Sequence, residues 1–431
     1  MRRCSFFRVD AVKLLALCGV CSFAMNQHAA AQSASVVKVD ASIGTQYDSN
    51  PYLLSDSNTD SASIDGELRP SITLIEKRGT LALEGYYRRQ EFLRRYSGTS
   101  SYGGTLSGSR RFNERTTLSG SLAYTNAIID AATLFGAGFA GAGNAIGSPP
   151  VGTAAPSPVV IPQNPGLTGP LESDLGLIGL RQRRSQLTLN TNLTFRPDQR
   201  DTWMVGVTGD ISRYPGSVIA SSFRSYGLTG GYTRTFSEKR TVGITATAQF
   251  IDYDGAAQSS QVFTPQITAT QRLPYNWTLE AGAGVSIVRE SGSANSNTAT
   301  SFAFQASACH EGVRAKLCVS GTRSATASGI NGVGPQTSAR LSYSYRLTER
   351  STLNANASYN SISRNSTVTL GQNQRFILTE LGYRRSVGRR LQLFLLASYQ
   401  NRDVTNESGQ TDVYGRAGLS FLLGDKREQR Q

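Results

Sequence analysis

Apolar and polar residues alternate one by one along many stretches of this chain. In residues 351–360 the odd positions carry Leu353, Ala355, Ala357 and Tyr359, among even positions that carry Thr, Asn and Ser. A period of two residues is typical of a β-strand with one apolar and one polar face. The unit recurs as "FNERTTLSGSLAY", "FSEKRTVGITATAQF" and "LTERSTLNANASY", in which a charged turn precedes an alternating run. The pattern therefore predicts repeated strand–turn–strand units.

The connections between these strands are predicted to alternate in length. Gly-, Ser- and Asn-rich stretches such as "RESGSANSNTAT" (289–300) and "ATASGINGVGPQ" (325–336) are expected to be long loops. Short turns on one rim and long loops on the other are typical of outer-membrane barrels. The predicted short turns lie at 77–79, 113–115, 197–201, 238–240, 274–276, 311–314, 348–350 and 387–389.

The turns also predict the number of strands and the fold class. Eight turns join sixteen strands, and further strands at 36–48 and 412–423 raise the total to about 18, with 16 as the alternative. We expect an all-β fold, a single transmembrane antiparallel up-and-down β-barrel with periplasmic N- and C-termini. A soluble β-sandwich also alternates, but strands of roughly 10 to 13 residues suit a tilted membrane crossing better than the usual five or six.

The first 31 residues have the three parts of a signal peptide. "MRRCSFFR" is basic, "VKLLALCGVCSFAM" is apolar, and Ala29-Ala30-Ala31 offers a cleavage site. The predicted mature chain is residues 32–431, exported to the bacterial outer membrane. Residues 1–31 carry a net charge of +3, so +11 of the total of +14 remains. A basic exported protein is expected to meet acidic partners, namely lipid headgroups, lipopolysaccharide or anionic polysaccharide, and no nucleic-acid motif is present.

Residue parity assigns charged side chains to the lumen. A mixed wall with a basic excess would favour anionic or neutral polar solutes over cations. Alternatively, the charges pair with one another and hydrate the pore. Six acidic residues are assigned inward: Asp65, Glu67, Glu84, Asp210, Glu280 and Glu380. The candidate polysaccharide or anion path consists of Arg69, Arg88, Arg111, Arg272, Arg314, Lys316, Arg340, Arg346, Arg384 and Arg416.

Two tryptophans and two cysteines are candidates for structural roles near the short turns. Trp203 and Trp277 share parity with the apolar face, which predicts an aromatic girdle at the periplasmic rim. Cys309 and Cys318 are the two cysteines beyond the leader, and parity places them opposite each other on the lumen side of one hairpin. An even pair in an exported chain is a disulfide candidate, and a metal site would need two further ligands.

Residue types that carry catalysis are scarce. His310 is the one histidine beyond the leader, and it is expected in a short turn at the periplasmic rim, with no Ser or Asp at a special spacing. No metal-ligand spacing, phosphate loop or nucleotide fingerprint is present. The sequence therefore predicts no enzyme activity, no metal and no cofactor.

One predicted loop is much longer than the others. Residues 128–175 are rich in Pro, Gly and Ala and form the third extracellular loop of the predicted barrel. Apolar stretches such as "LFGAGFAGAG" favour partial plugging of the barrel mouth, whereas Pro- and Gly-rich composition is also typical of a surface loop.

The start of the mature chain resembles a known family. A first strand ends in Asp48-Ser49-Asn50, Pro70, Ile72 and Leu74 mark a second, and Tyr86-Tyr87-Arg88 a third. These features are similar to the β-barrel porin family (beta-barrel porin 2 type) found in exopolysaccharide export loci. The resemblance implies an outer-membrane component of exopolysaccharide or capsule secretion, in contact with a periplasmic polysaccharide-export protein. A general diffusion porin and a non-conducting polysaccharide-binding surface barrel are the alternatives.

Overall fold

The computed structural model describes residues 34–54, 59–129, 181–217, 220–254, 259–291, 296–329, 332–362, 373–404 and 409–424. No helix long and apolar enough to cross a membrane occurs among them. They form 18 strands: β1 Ala34–Asp48, β2 Ser61–Glu76, β3 Gly79–Phe92, β4 Thr99–Arg111, β5 Thr116–Ile128, β6 Arg183–Phe195, β7 Asp201–Arg213, β8 Phe223–Ser237, β9 Arg240–Tyr253, β10 Ser259–Leu273, β11 Trp277–Ser291, β12 Ser296–Glu311, β13 Ala315–Ser328, β14 Gly332–Thr348, β15 Ser351–Ile362, β16 Gln374–Ser386, β17 Leu391–Val404 and β18 Gln410–Gly424.

The strands close into one antiparallel barrel. Each strand pairs with its neighbours in sequence, and β1 pairs with both β2 and β18, so the sheet has no free edge. The predicted all-β barrel of 18 strands is confirmed. The leader at 1–31 and residues 130–175 of the long loop lie outside the described residues. The periplasmic position of the termini stays a prediction.

The two faces of the strands divide apolar from polar residues. Ile43, Leu228 and Ile267 point outward and are 56%, 54% and 65% exposed. Their neighbours along each strand point inward and are mostly Ser, Thr, Asn, Gln, Gly or charged residues. An apolar exterior around a polar interior is the reverse of a soluble protein, and it is the arrangement that strands facing lipid and water require.

Two of the predicted long loops are wrong. β11 ends at Ser291 and β12 begins at Ser296, and only residues 329–331 separate β13 from β14. Hairpin pairing continues to Ser328 opposite Gly332, and a positive φ of 67° at Gly332 allows the sharp reversal. The strands, at 12 to 17 residues, are accordingly longer than the predicted 10 to 13.

The extended end of the β13–β14 hairpin leaves the barrel wall. β12 pairs with β13 only as far as Phe304 opposite Arg323, and β15 pairs with β14 only as far as Ile362 opposite Gln336. The described residues of the segment 324–335, called the mouth hairpin below, pair only within the β13–β14 hairpin, from Ser324 opposite Gln336 to Ser328 opposite Gly332. The backbone N–H of Ser221, in the β7–β8 connection, donates to the Gly329 carbonyl at 2.8 Å. The mouth hairpin therefore reaches across the end of the lumen opposite the short turns.

Apolar side chains fill this end of the barrel. Phe223 and Ile251 point inward from β8 and β9, Phe376 points inward from β16, and each is at most 1% exposed. They belong to one buried cluster with Ala327 and Val333 of the mouth hairpin. Fully burying a large apolar side chain contributes about 1.5–3 kcal/mol. The cluster therefore holds the mouth hairpin over the lumen.

Candidate functional site

Nine of the ten basic candidates lie at inward positions of the paired strands, at two different depths, and Arg314 lies in the turn between β12 and β13. Arg69, Arg88, Arg340 and Arg416 lie well inside the barrel. The other six lie in or beside the short turns: Arg111, Arg272, Arg314, Lys316, Arg346 and Arg384.

A buried carboxylate holds two of the deeper arginines. Asp65 of β2 is fully buried, and Arg416 of β18 donates to it through Nε, 3.0 Å from Oδ1, and through a second nitrogen. Arg88 Nε lies 3.8 Å from the other carboxylate oxygen. The Arg416 side chain reaches Asp65 across β1 at Gly44, where a Cβ would lie 3.3 Å from Asp65 Oδ1 and 3.4 Å from Arg416 Nε. The ion pair thus spans the three strands at which the barrel closes.

Other charges on the same side of the lumen are also engaged. Arg69 pairs with Glu67, Tyr414 donates to Glu380 at 2.9 Å, and Ser420 donates to Asp40 at 2.6 Å. These contacts favour, for Arg69, Arg88 and Arg416, the alternative in which lumen charges pair with each other. We call the inner faces of β14–β18 and β1–β3 the charged wall.

Three strands on the opposite side of the lumen carry almost no inward charge. We call the inner faces of β8–β10 the neutral wall. Within it, β8 and β9 carry no charged residue at any inward position, and β10 carries only Arg272, beside its turn. Their inward positions hold mainly Thr, Ser, Gln and Gly, and Thr229 lies within hydrogen-bond distance of Thr247, at 3.4 Å. The neutral wall therefore presents hydroxyl and amide groups to the charged wall.

The basic excess of the described residues is concentrated at one end of the barrel. We define the turn rim as the eight short turns with three strand residues on each side. It contains eighteen basic and seven acidic residues, whereas the rest of the described chain contains eighteen basic and fifteen acidic residues. The basic residues of the turn rim are Lys77, Arg78, Arg110, Arg111, Arg115, Arg196, Arg200, Lys239, Arg240, Arg272, Arg314, Lys316, Arg346, Arg350, Arg384, Arg385, Arg389 and Arg390.

The acidic residues of the turn rim serve partly to shape the turns. Asp198 accepts hydrogen bonds from the backbone N–H groups of Arg200 and Asp201, each at 2.7 Å. These two bonds, the one from Asp201 first, hold the pKa of the Asp198 carboxyl below its usual range. The carboxylate thus stabilises its own turn, and the eighteen basic residues of the turn rim still outnumber its seven acidic residues.

The aromatic candidates lie on the outer face near the turns. Trp203 is 53% exposed and packs on Tyr232 with ring centroids 4.8 Å apart. Trp277 is the first residue of β11 and packs on His310, with ring centroids 5.1 Å apart.

The expectation that His310 lies in a turn is wrong, because it is paired within β12 and points outward. In the ranges that the structure describes, no group of three His, Cys, Asp or Glu residues could hold a metal ion.

Cys309 and Cys318 are joined by a disulfide. They oppose each other directly in the β12–β13 pairing, with Cα atoms 4.1 Å apart, on the inner face beside the turn.

Replacing both cysteines with Ser is expected to reduce the free energy of unfolding by about 2–3 kcal/mol, because a short closed loop no longer restricts the unfolded chain. Urea titration of the lipid-reconstituted protein would measure the change. Wild-type protein treated with dithiothreitol should show the same loss, and stability that survives both treatments would contradict a stabilising role.

Sequence reasoning missed two parts of this site. The sequence predicts a loop where the mouth hairpin lies, because Gly-rich segments carry weak alternation. Residue parity predicts only the inward residues of the turn rim, although nearly every short turn of the sequence contains Lys or Arg.

Comparisons with known proteins give likenesses only at the level of solved structures. No protein-family model and no curated protein sequence matches the chain. OpdQ of Pseudomonas aeruginosa is 9% identical with a TM-score of 0.43, covering 91% of this chain and 98% of that one. OccK2 (OpdF) of the same organism in complex with glucuronate is 13% identical with a TM-score of 0.45, covering 90% and 98%. A BenF-like porin of Pseudomonas fluorescens Pf-5 is 12% identical with a TM-score of 0.44, covering 91% and 99%. At these values the likeness decides nothing about function, and the resemblance of the first strands to an exopolysaccharide-associated family stays a prediction.

Proposed function

We propose that the protein is an outer-membrane pore that serves in exopolysaccharide or capsule secretion. The apolar exterior of the barrel supports its placement in a bilayer, because a closed sheet leaves no backbone group unpaired in hydrocarbon. The polar interior supports a hydrated path through it. Lipids and lipopolysaccharide would surround the barrel, and a periplasmic polysaccharide-export protein would deliver the polymer.

The observation that carries the proposal is the neutral wall facing the charged wall. Sugar hydroxyls both donate and accept hydrogen bonds, and Thr, Ser, Asn and Gln side chains match them in both directions. The charged wall, in which Asp65, Glu67 and Glu380 already have partners, holds water and polar groups without binding a passing chain tightly. Such a lumen suits a sliding polymer, because each contact is weak and easily replaced by water.

The mouth hairpin adds a gate to this proposal. It covers the end of the lumen opposite the turn rim, where it packs on the apolar cluster. A closed resting state would keep small solutes from leaking through a barrel of this circumference. Opening would require the mouth hairpin to leave the β7–β8 connection.

Two experiments test the proposed function. Single-channel recordings of the bilayer-inserted protein, with and without residues 130–172, should show a conducting pore in at least one form. A deletion strain should lose surface or secreted polysaccharide while keeping its uptake of small solutes. Conductance with unchanged polysaccharide would support the general diffusion porin instead. Absence of conductance in both forms, together with retained glycan binding, would support the non-conducting surface barrel.

A further inference from the structure

The unequal charge of the two barrel ends identifies an entrance and the chemistry of its ligand. We propose that the turn rim captures a carboxylate-bearing polysaccharide, a polyuronate, and feeds it into the lumen from that end. This inference rests on the proposed function, since it names the charge of the polymer and the end at which it enters.

The basic residues of the turn rim are placed for capture from solution. Sixteen of the eighteen are exposed, with Arg196 and Arg384 half-buried. A ring of like charges at the opening of a low-dielectric barrel focuses the field and raises the local concentration of an anion. Guanidinium groups also pair with carboxylates through two parallel hydrogen bonds, so the many arginines favour a polymer with repeated carboxylates.

The position of the charges favours a polymer that enters the barrel, rather than an acidic protein that docks on the turn rim. Basic residues occur both in the exposed turns, such as Arg350 and Arg389, and at nearby inward positions, such as Arg346 and Arg384. A folded partner would contact the tips of the turns and leave these inward residues out of reach. A flexible chain can contact both sets in succession.

The interior of the barrel beyond the turn rim is suited to releasing the captured polymer. Arg88 and Arg416 are already occupied by Asp65, and β8 and β9 offer only uncharged inward groups. A captured polyanion would therefore bind most strongly at the rim and pass through a weakly binding lumen. Strong capture followed by weak contact is what conduction of a polymer requires.

The test removes four positive charges from one end of the barrel and compares the result with the same loss at the other end. The rim variant carries Arg346→Gln, Arg350→Gln, Arg389→Gln and Arg390→Gln. The matched control carries Arg213→Gln, Arg224→Gln, Arg289→Gln and Arg375→Gln, exposed outward arginines at the far ends of their strands. Both are reconstituted in nanodiscs, checked for folded electrophoretic mobility, and titrated with polygalacturonate oligomers and with neutral dextran.

We expect the rim variant to bind polygalacturonate roughly tenfold more weakly at low salt, within the range of electrostatic focusing, and the control to bind like wild type. Raising the salt concentration should remove the difference between them. Equal binding by both variants, binding of dextran as tight as that of polygalacturonate, or a preference for polyglutamate over polygalacturonate would each overturn the proposal. Failure of the proposed function is separate, because it would appear as absent conductance or unchanged polysaccharide secretion.

Discussion

Replacing Gly329 with Val should increase the single-channel conductance of the bilayer-inserted protein severalfold. A Cβ at this position would lie 2.6 Å from Cε2 of Tyr214, well inside van der Waals contact. Tyr214 is 4% exposed and belongs to the buried cluster, so its ring has little room to move away. The mouth hairpin must then separate from the β7–β8 connection and uncover the lumen.

The same separation should be visible without recording current. Ala327 of the mouth hairpin is 3% exposed, so a Cys placed there should react slowly with a membrane-impermeant maleimide and much faster when Gly329→Val is added. Gly388→Val is the matched control, because a Cβ at Gly388 meets no atom within 4 Å. If Gly329→Val and Gly388→Val leave conductance and labelling equally unchanged, the mouth hairpin is no gate.

Replacing Asp65 with Ala should lower the free energy of unfolding of the barrel by about 3–5 kcal/mol, because it leaves the charges of Arg416 and Arg88 half-buried without their carboxylate. The lost ion pair joins the strands at which the barrel closes, so β1 should separate from its neighbours early in unfolding. Denaturant unfolding of the lipid-reconstituted protein measures the free energy, and the temperature at which the folded electrophoretic band disappears measures the same trend. Removing Arg416 together with Asp65 should recover part of the loss.

An exposed ion pair within one strand provides the control. Arg89 donates to Glu91 at 2.6 Å on the outer face, and the two side chains are 49% and 53% exposed. Replacing Glu91 with Ala should cost about 0–1 kcal/mol, since solvent already screens both charges. Equal losses for the Asp65 and Glu91 variants would show that the buried pair has no special part in closure.

Much of the barrel was predictable from individual residues. The alternation of Leu353, Ala355 and Ala357 with polar neighbours determined both the strand and its outward face, because the side-chain period of a strand is fixed at two. The charged turns that separate such runs determined where hairpins reverse and how many strands there are. The same parity placed Arg416, Arg340 and the two cysteines on the inner face.

The partners of those inward residues were not predictable. Parity tells which face Arg416 occupies, but its pairing with Asp65, 351 positions away in sequence, depends on the register of β1 against both β2 and β18. That register exists only after the barrel has closed. Gly44 lies between the two charged side chains only because the closed barrel places β1 between β2 and β18.

The sequence by itself determined the strands, their two faces and the basic short turns, because these follow from local periodicity and turn chemistry. Only the tertiary structure decided that the described residues of the mouth hairpin leave the wall and fold over the lumen. Local pattern cannot decide this, because a Gly- and Ser-rich hairpin pairs equally well with itself inside or outside the barrel. Its final position depends on apolar side chains such as Phe223 and Phe376, which come from distant strands and meet only at the closed mouth.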